Sequence, residues 1–127
     1  MKYAILKWIE PTIMVVTFSD FDPTEEQFEE YLKEMDAIYK NNSGFVIIFD
    51  GSKAKYLSSK LRIRQGKWMK DNNALIKEKC MGHIYMITSK LTSFLLKAIF
   101  VVQSPPIQHA VVSNMDDARE KARNFLG

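Results

Sequence analysis

Gly44-Phe45-Val46-Ile47-Ile48-Phe49-Asp50-Gly51-Ser52 is the stretch from which this chain is best read. Phe45 to Phe49 is an unbroken apolar run, aromatic and β-branched, bounded by Gly44 on one side and Asp50-Gly51 on the other. Such a run is expected of a strand covered on both faces, as in the middle of a mainly parallel sheet. A short loop then leads into the basic segment Leu57 to Lys79. The unit is strand–loop–helix, the part of a small α/β domain where a ligand or partner usually sits.

Working outward, Lys2 to Ile9 and Thr12 to Phe18 are strand-like and separated by Glu10-Pro11, which predicts an antiparallel hairpin. Asp22-Pro23-Thr24-Glu25 predicts a helix start, with Asp22 as cap, Pro23 in the first helical position and Glu25 as the capping-box carboxylate. Phe28, Tyr31, Leu32, Met35, Ile38 and Tyr39 then recur mostly at three- and four-residue steps, one apolar face. Asn41-Asn42-Ser43-Gly44 ends that helix.

A second helix is expected to begin near Ser58 or Ser59. It carries Leu61, Trp68, Met69, Leu75 and Ile76 on one arc and Lys60, Arg64, Lys67 and Asp71 on another. Gly82 to Thr88 reads as a fourth strand, Leu91 to Val102 as a largely apolar helix, and Ile107 to Val112 as a fifth strand. Asn114 caps a last helix whose first turn holds Asp116 and Asp117 at the positive dipole end. The order β-β-α-β-α-β-α-β-α predicts a single α/β domain over residues 1–127, a mixed sheet of five strands reached by right-handed crossovers.

Composition narrows the function classes. A chain of 127 residues that is 46% hydrophobic can bury a core without staples. The single Cys80 rules out an internal disulfide. With Met1-Lys2-Tyr3 leading straight into a strand pattern, a cytoplasmic location is expected. The longest apolar run, Phe94 to Val102, is interrupted by Lys97 and is far short of the roughly 20 residues a membrane span needs.

The net charge of +3 is unevenly placed: nine Lys and Arg lie between Gly51 and Cys80 against only Asp71 and Glu78, whereas Asp20 to Asp36 is acidic. That asymmetry suits an acidic protein partner, or pairing within the molecule. No run of aromatics is interleaved with the basic residues, so nucleic acid is not expected as a partner.

The element order, with Phe49-Asp50 followed by Leu57-Ser58-Ser59-Lys60-Leu61, resembles the STAS domain, specifically its SpoIIAA-like branch. In the anti-sigma-factor antagonists of that family the corresponding motif is Asp-Ser-Ser-Gly-Leu, and a serine at the start of the second helix is phosphorylated. Ser58 and Ser59 fall on the motif's serines and Leu61 on its apolar residue; Leu57 stands in place of the aspartate and Lys60 in place of the glycine. The resemblance implies a STAS-like fold and a regulatory role through protein partners. The SpoIIAA-like branch also resembles lipid-carrier domains in fold.

Candidate sites follow. Ser58 and Ser59 are either a helix cap or a phosphorylation site, where a phosphate would meet free backbone N–H groups. Lys60, Arg64 and Lys67, with Lys53 and Lys55 in the loop, form either a solvated face or a partner-binding surface for an acidic protein or anionic lipid. Trp68, Leu95 and Ile99 either are core or line a pocket between the second and third helices for a lipid or other apolar small molecule. A homodimer is compatible with the same features.

His83 and His109, in strands four and five, read as ordinary strand histidines, and Asp50 as the cap of a turn with Gly51. Cys80 lacks a partner cysteine at metal-ligand spacing. There is no glycine-rich phosphate cradle, no Gly-x-Ser-x-Gly elbow and no paired-carboxylate cleft. The chain is therefore read as non-catalytic, with no cofactor and no metal.

Overall fold

The computed structural model describes all 127 residues except Tyr56, and except the side chain of Val102. It consists of β1 (Ala4–Glu10), β2 (Ile13–Phe18), α1 (Glu25–Asn41), β3 (Phe45–Asp50), α2 (Ser59–Asp71), α3 (Asn73–Lys79), β4 (Cys80–Met86), α4 (Lys90–Val102), β5 (His109–Val112) and α5 (Met115–Leu126). The five strands form one sheet in the order β1-β2-β3-β4-β5. β1 runs antiparallel to β2, and the other three neighbouring pairs are parallel. The apolar run is thus the central strand of a mixed α/β sheet.

Alternation along β3 explains the two sides of the core. Phe45 and Ile47 join Met14 and Val16 under Phe28, Tyr31, Leu32 and Met35 of α1 and Leu61, Trp68 and Met69 of α2, with Leu95 of α4 on the same side. Val46 and Ile48 point the other way, toward Ala118 and Ala122 of α5, together with Ile13, Val15 and Ile84. Strands that feed right-handed crossovers in one direction along a sheet place their connecting helices on one face, which leaves the other to the final helix. The small residues of α5 let it sit close on β3 and β4. The opposite face is spaced by large aromatic side chains, several in edge or stacked contact with one another.

Several boundaries differ from expectation. The cap of α1 is Thr24, not Asp22: its hydroxyl accepts from Gln27 N–H at 3.1 Å, and the Gln27 side chain accepts from Thr24 N–H at 2.9 Å. Pro23 therefore lies before the helix, and Gln27 rather than Glu25 completes the capping box. The second helix is broken into α2 and α3 at Asn72, whose backbone (φ −105°, ψ 14°) leaves the helical region while its N–H and its side-chain amide both donate to Trp68 O, at 3.0 and 2.9 Å, the side-chain bond to a carbonyl one turn back that bends helices. β4 begins at Cys80 instead of Gly82 and ends at Met86, and β5 is limited to His109–Val112.

Between α1 and β3 the chain turns at Gly44, whose φ of +68° suits glycine and whose N–H donates to Lys79 O at 2.8 Å. Among the described residues no helix is long and apolar enough to cross a membrane.

Candidate functional site: the α2–α4 edge and the cavity beneath it

The loop after β3 is built by short local bonds and anchored to α4. Asp50 Oδ1 accepts from Ser52 N–H at 2.9 Å, the turn expected of an aspartate before glycine. Gly51 donates to Met86 O at 3.0 Å and has no room for a side chain, because a Cβ there would lie 2.8 Å from Thr92 Cγ2. Thr92, itself buried, donates from Oγ1 to Ala54 O at 3.0 Å. The N-terminal turn of α4 and the loop are therefore one unit.

Ser58 is the N-cap of α2, its hydroxyl accepting from Leu61 N–H at 3.3 Å. Ser59 is exposed, and its hydroxyl accepts from Arg62 Nη2 at 3.0 Å. Arg62 Nη1 also donates to Leu57 O at 2.7 Å, so this guanidinium is held over the start of the helix.

The basic face lies against the acidic helix. Arg64 forms a two-pronged pair with Glu29, at 2.6 and 3.0 Å, and Lys60 pairs with Glu25. The Arg64 hydrogen bond holds the Glu29 carboxyl below its usual range and raises the guanidinium of Arg64. Lys53, Lys55 and Lys67 are exposed. Two of the three helical cations singled out from sequence are thus engaged by α1, by pairing within the molecule.

α4 has two faces. Outward, Phe94, Lys97, Ala98 and Val101 border a groove of about 500 Å³ closed on the other side by Ser59, Arg62 and Ile63 of α2. Ile63, Phe94 and Val101 are 58%, 62% and 86% exposed, high values for apolar side chains gathered in one place. Inward, Leu95 and Ile99 line a cavity of about 110 Å³ together with Trp68, Met69, Phe49 and Tyr85, so the three residues selected from sequence share one cavity.

Its inner wall is polar. The Tyr39 hydroxyl lies 2.6 Å from Nε2 of His83, and the Tyr85 hydroxyl 3.4 Å from Nδ1. Burial, with a smaller contribution from the neighbouring His109, pushes His83 down to about 3, so its ring is neutral at physiological pH. Burial likewise raises the phenols of Tyr39 and Tyr85. His83 and His109 are register partners across β4 and β5, the former buried and the latter exposed. Trp68 is fixed from α1, its Nε1 donating to Asp36 Oδ1 at 2.9 Å. The Cys80 thiol is buried and pushed up to about 12, which makes it a poor nucleophile and a poor metal ligand.

The polar wall is the part of the site that sequence reasoning passed over. The two-residue step from His83 to Tyr85 puts both on one strand face, but nothing local brings Tyr39 of α1 onto the imidazole.

The sequence matches no family model, and no curated protein is similar to it at a significant level. A search of solved structures matches the chain to the anti-sigma factor antagonist SpoIIAA in its unphosphorylated form, with a TM-score of 0.60 over 95% of this chain and 96% of that one. The fold is that of SpoIIAA. At 10% identity the SpoIIAA likeness is one of architecture: a STAS-type α/β sheet with its connecting helices on one face.

Proposed function

We propose that this chain is a non-catalytic regulatory module that docks an acidic protein partner through the loop after β3, the start of α2 and the adjoining face of α4. The observation that carries this reading is the exposed apolar strip of Ile63, Phe94 and Val101 beside Ser59 and Arg62. An apolar strip bordered by Arg62 and Lys97, on a chain that also exposes Lys53 and Lys55 in the loop and Lys67 on α2, complements an amphipathic acidic segment. Lys60 and Arg64 contribute too, because exposed ion pairs are worth at most about 1 kcal/mol and exchange for an outside carboxylate at little cost. That a protein of this fold is an anti-sigma factor antagonist supports a role exerted through protein partners.

A phosphate on exposed Ser59 would sit beside Arg62 and change the sign of the charge at the groove's end. Ser58, whose hydroxyl already caps α2, serves the helix.

The test is affinity capture with the full chain, comparing wild type with Phe94→Asp and with Lys53, Lys55 and Lys67 changed together to Glu. A specific partner retained by wild type, lost by both variants and weakened by salt is the expected result. A partner held equally by all three overturns the reading. So does a concentration-dependent dimer that Phe94→Asp disrupts, since the groove would then be covered by a second copy.

A second reading is favoured by the cavity itself: a binding site for a small apolar molecule, walled by Trp68, Leu95 and Ile99. Native mass spectrometry of the purified chain tests it through any co-purifying ligand.

A further inference from the structure

We propose that the cavity beneath α2 and α4 binds a small, uncharged aromatic compound carrying a hydrogen-bond acceptor such as a carbonyl oxygen, which the Tyr85 hydroxyl engages. The inference rests on the second reading above and gives that ligand its chemistry.

Size is the first constraint. A volume of about 110 Å³ is on the scale of a single ring; an apolar cavity of roughly 150 Å³ stays dry and takes benzene. Phe18, Phe28, Phe49, Trp68 and Phe100 supply aromatic walls, and Phe49 and Tyr85 stack with centroids 5.3 Å apart. Flat faces of this kind suit an aromatic guest better than a branched aliphatic one.

Charge is the second. Among the described residues that line it there is no Asp, Glu, Lys or Arg. The one basic group in the wall, His83, is neutral. An ionised ligand would be buried without a counter-charge, at a cost that a site this small cannot offset.

The third constraint is a count of protons. Tyr39, His83 and Tyr85 hold three hydrogens able to donate: two phenolic and one on the neutral imidazole. They share two hydrogen bonds, one at each ring nitrogen. A neutral imidazole accepts at one nitrogen and donates at the other, so one phenol donates a hydrogen bond to the ring and the other accepts one from it. The receiving phenol keeps an O–H with no partner inside the triad.

The geometry says which phenol that is. The 2.6 Å contact at Nε2 is short, as O–H donors make, whereas N–H donors prefer about 2.9–3.0 Å. Tyr39 therefore donates to Nε2, Nδ1 carries the hydrogen facing Tyr85, and the Tyr85 O–H is left over. Tyr85 is 6% exposed, and among the described residues no other hydrogen bond engages either hydroxyl. A buried donor without an acceptor, in the wall of an apolar cavity of ring size, is a binding determinant.

The test titrates acetophenone, ethylbenzene and benzoate into the full chain, followed by amide chemical-shift changes. Ethylbenzene has the ring and a similar bulk but no acceptor; benzoate has acceptors and a charge. Acetophenone is expected to bind about three- to tenfold tighter than ethylbenzene, the factor a net hydrogen bond supplies, and benzoate not at all. Tyr85→Phe should remove the preference by weakening acetophenone alone, and Leu95→Trp, which fills the space, should abolish both.

If neither neutral compound binds, the cavity reading falls with this one. If both bind equally, if benzoate binds as well as acetophenone, or if the preference survives Tyr85→Phe, the cavity stands as a site and this assignment is overturned. The wild-type comparison alone decides the question should a variant fold poorly.

Discussion

Phe125 of α5 lies directly over Gly82 of β4: a Cβ at position 82 would stand 2.3 Å from Phe125 Cδ2 and 3.0 Å from its Cγ. Real Cβ atoms do not approach so closely, and the ring sits on a helix already held down by buried Ala118 and Ala122. Gly82→Ala should therefore destabilise the chain by about 1–3 kcal/mol, the usual cost of overpacking. Phe125→Ala should relieve that clash, so the double variant should lose less than the two single losses combined. A double-mutant cycle in urea checks the coupling.

The neutral state of His83 makes stability depend on pH. Its folded value of about 3 is below the ordinary 6.5, so the unfolded chain binds the extra proton first. The contribution is fully present above pH 6.5 and is lost as pH falls from there toward 3, at up to about 1.4 kcal/mol per pH unit from this group. Replacing His83 with Gln should flatten the acid limb of a plot of unfolding free energy against pH between 6.5 and 4. An unchanged slope would mean that the imidazole is already charged in the folded chain.

Two side chains of α1 reach α2 in different surroundings, and their removal should differ accordingly. The Glu29–Arg64 pair is partly exposed, so Glu29→Gln should cost no more than about 1 kcal/mol and less in high salt. Asp36 satisfies the indole N–H of buried Trp68, and Asp36→Ala should cost about 1–3 kcal/mol by leaving that donor unpaired. Thermal unfolding followed by tryptophan fluorescence ranks the two; equal losses would contradict the assignment.

The adjacent serines should separate as well. Ser58→Ala removes the cap of α2 and should cost about 1 kcal/mol. Ser59→Ala removes only an exposed acceptor from Arg62 and should change stability by less than about 0.5 kcal/mol. Chemical denaturation of the two variants side by side measures this.

Local pattern is enough to place most of the elements. The apolar run Phe45 to Phe49 reads as a central strand because residues covered on both faces are apolar at every position, and it occupies the middle of the sheet. Helical spacing similarly finds Phe28, Tyr31, Leu32, Met35 and Tyr39 buried along α1. Where two local signals overlap, reading along the chain chooses badly. Asp22-Pro23 and Thr24-x-x-Gln27 are both helix starts, and the second wins because its two reciprocal bonds satisfy two backbone groups. Asn72 likewise resembles an ordinary polar helix residue until its backbone is seen to leave the helical region, with its amide doubling the N–H bond to Trp68 O.

Strand and helix periods are properties of neighbours two to four residues apart, and for that reason the order of elements, the hairpin, the central strand and the apolar faces can be read from the chain alone. Which cations remain free, how large a cavity remains and which protons lack partners depend on residues brought together from far along it. Glu29 meets Arg64, Tyr39 meets His83, and Gly51 meets Thr92 only after the crossovers have folded. The cavity is the space that side chains from both sheet and helices leave between them, and a leftover space of that kind has no local signature.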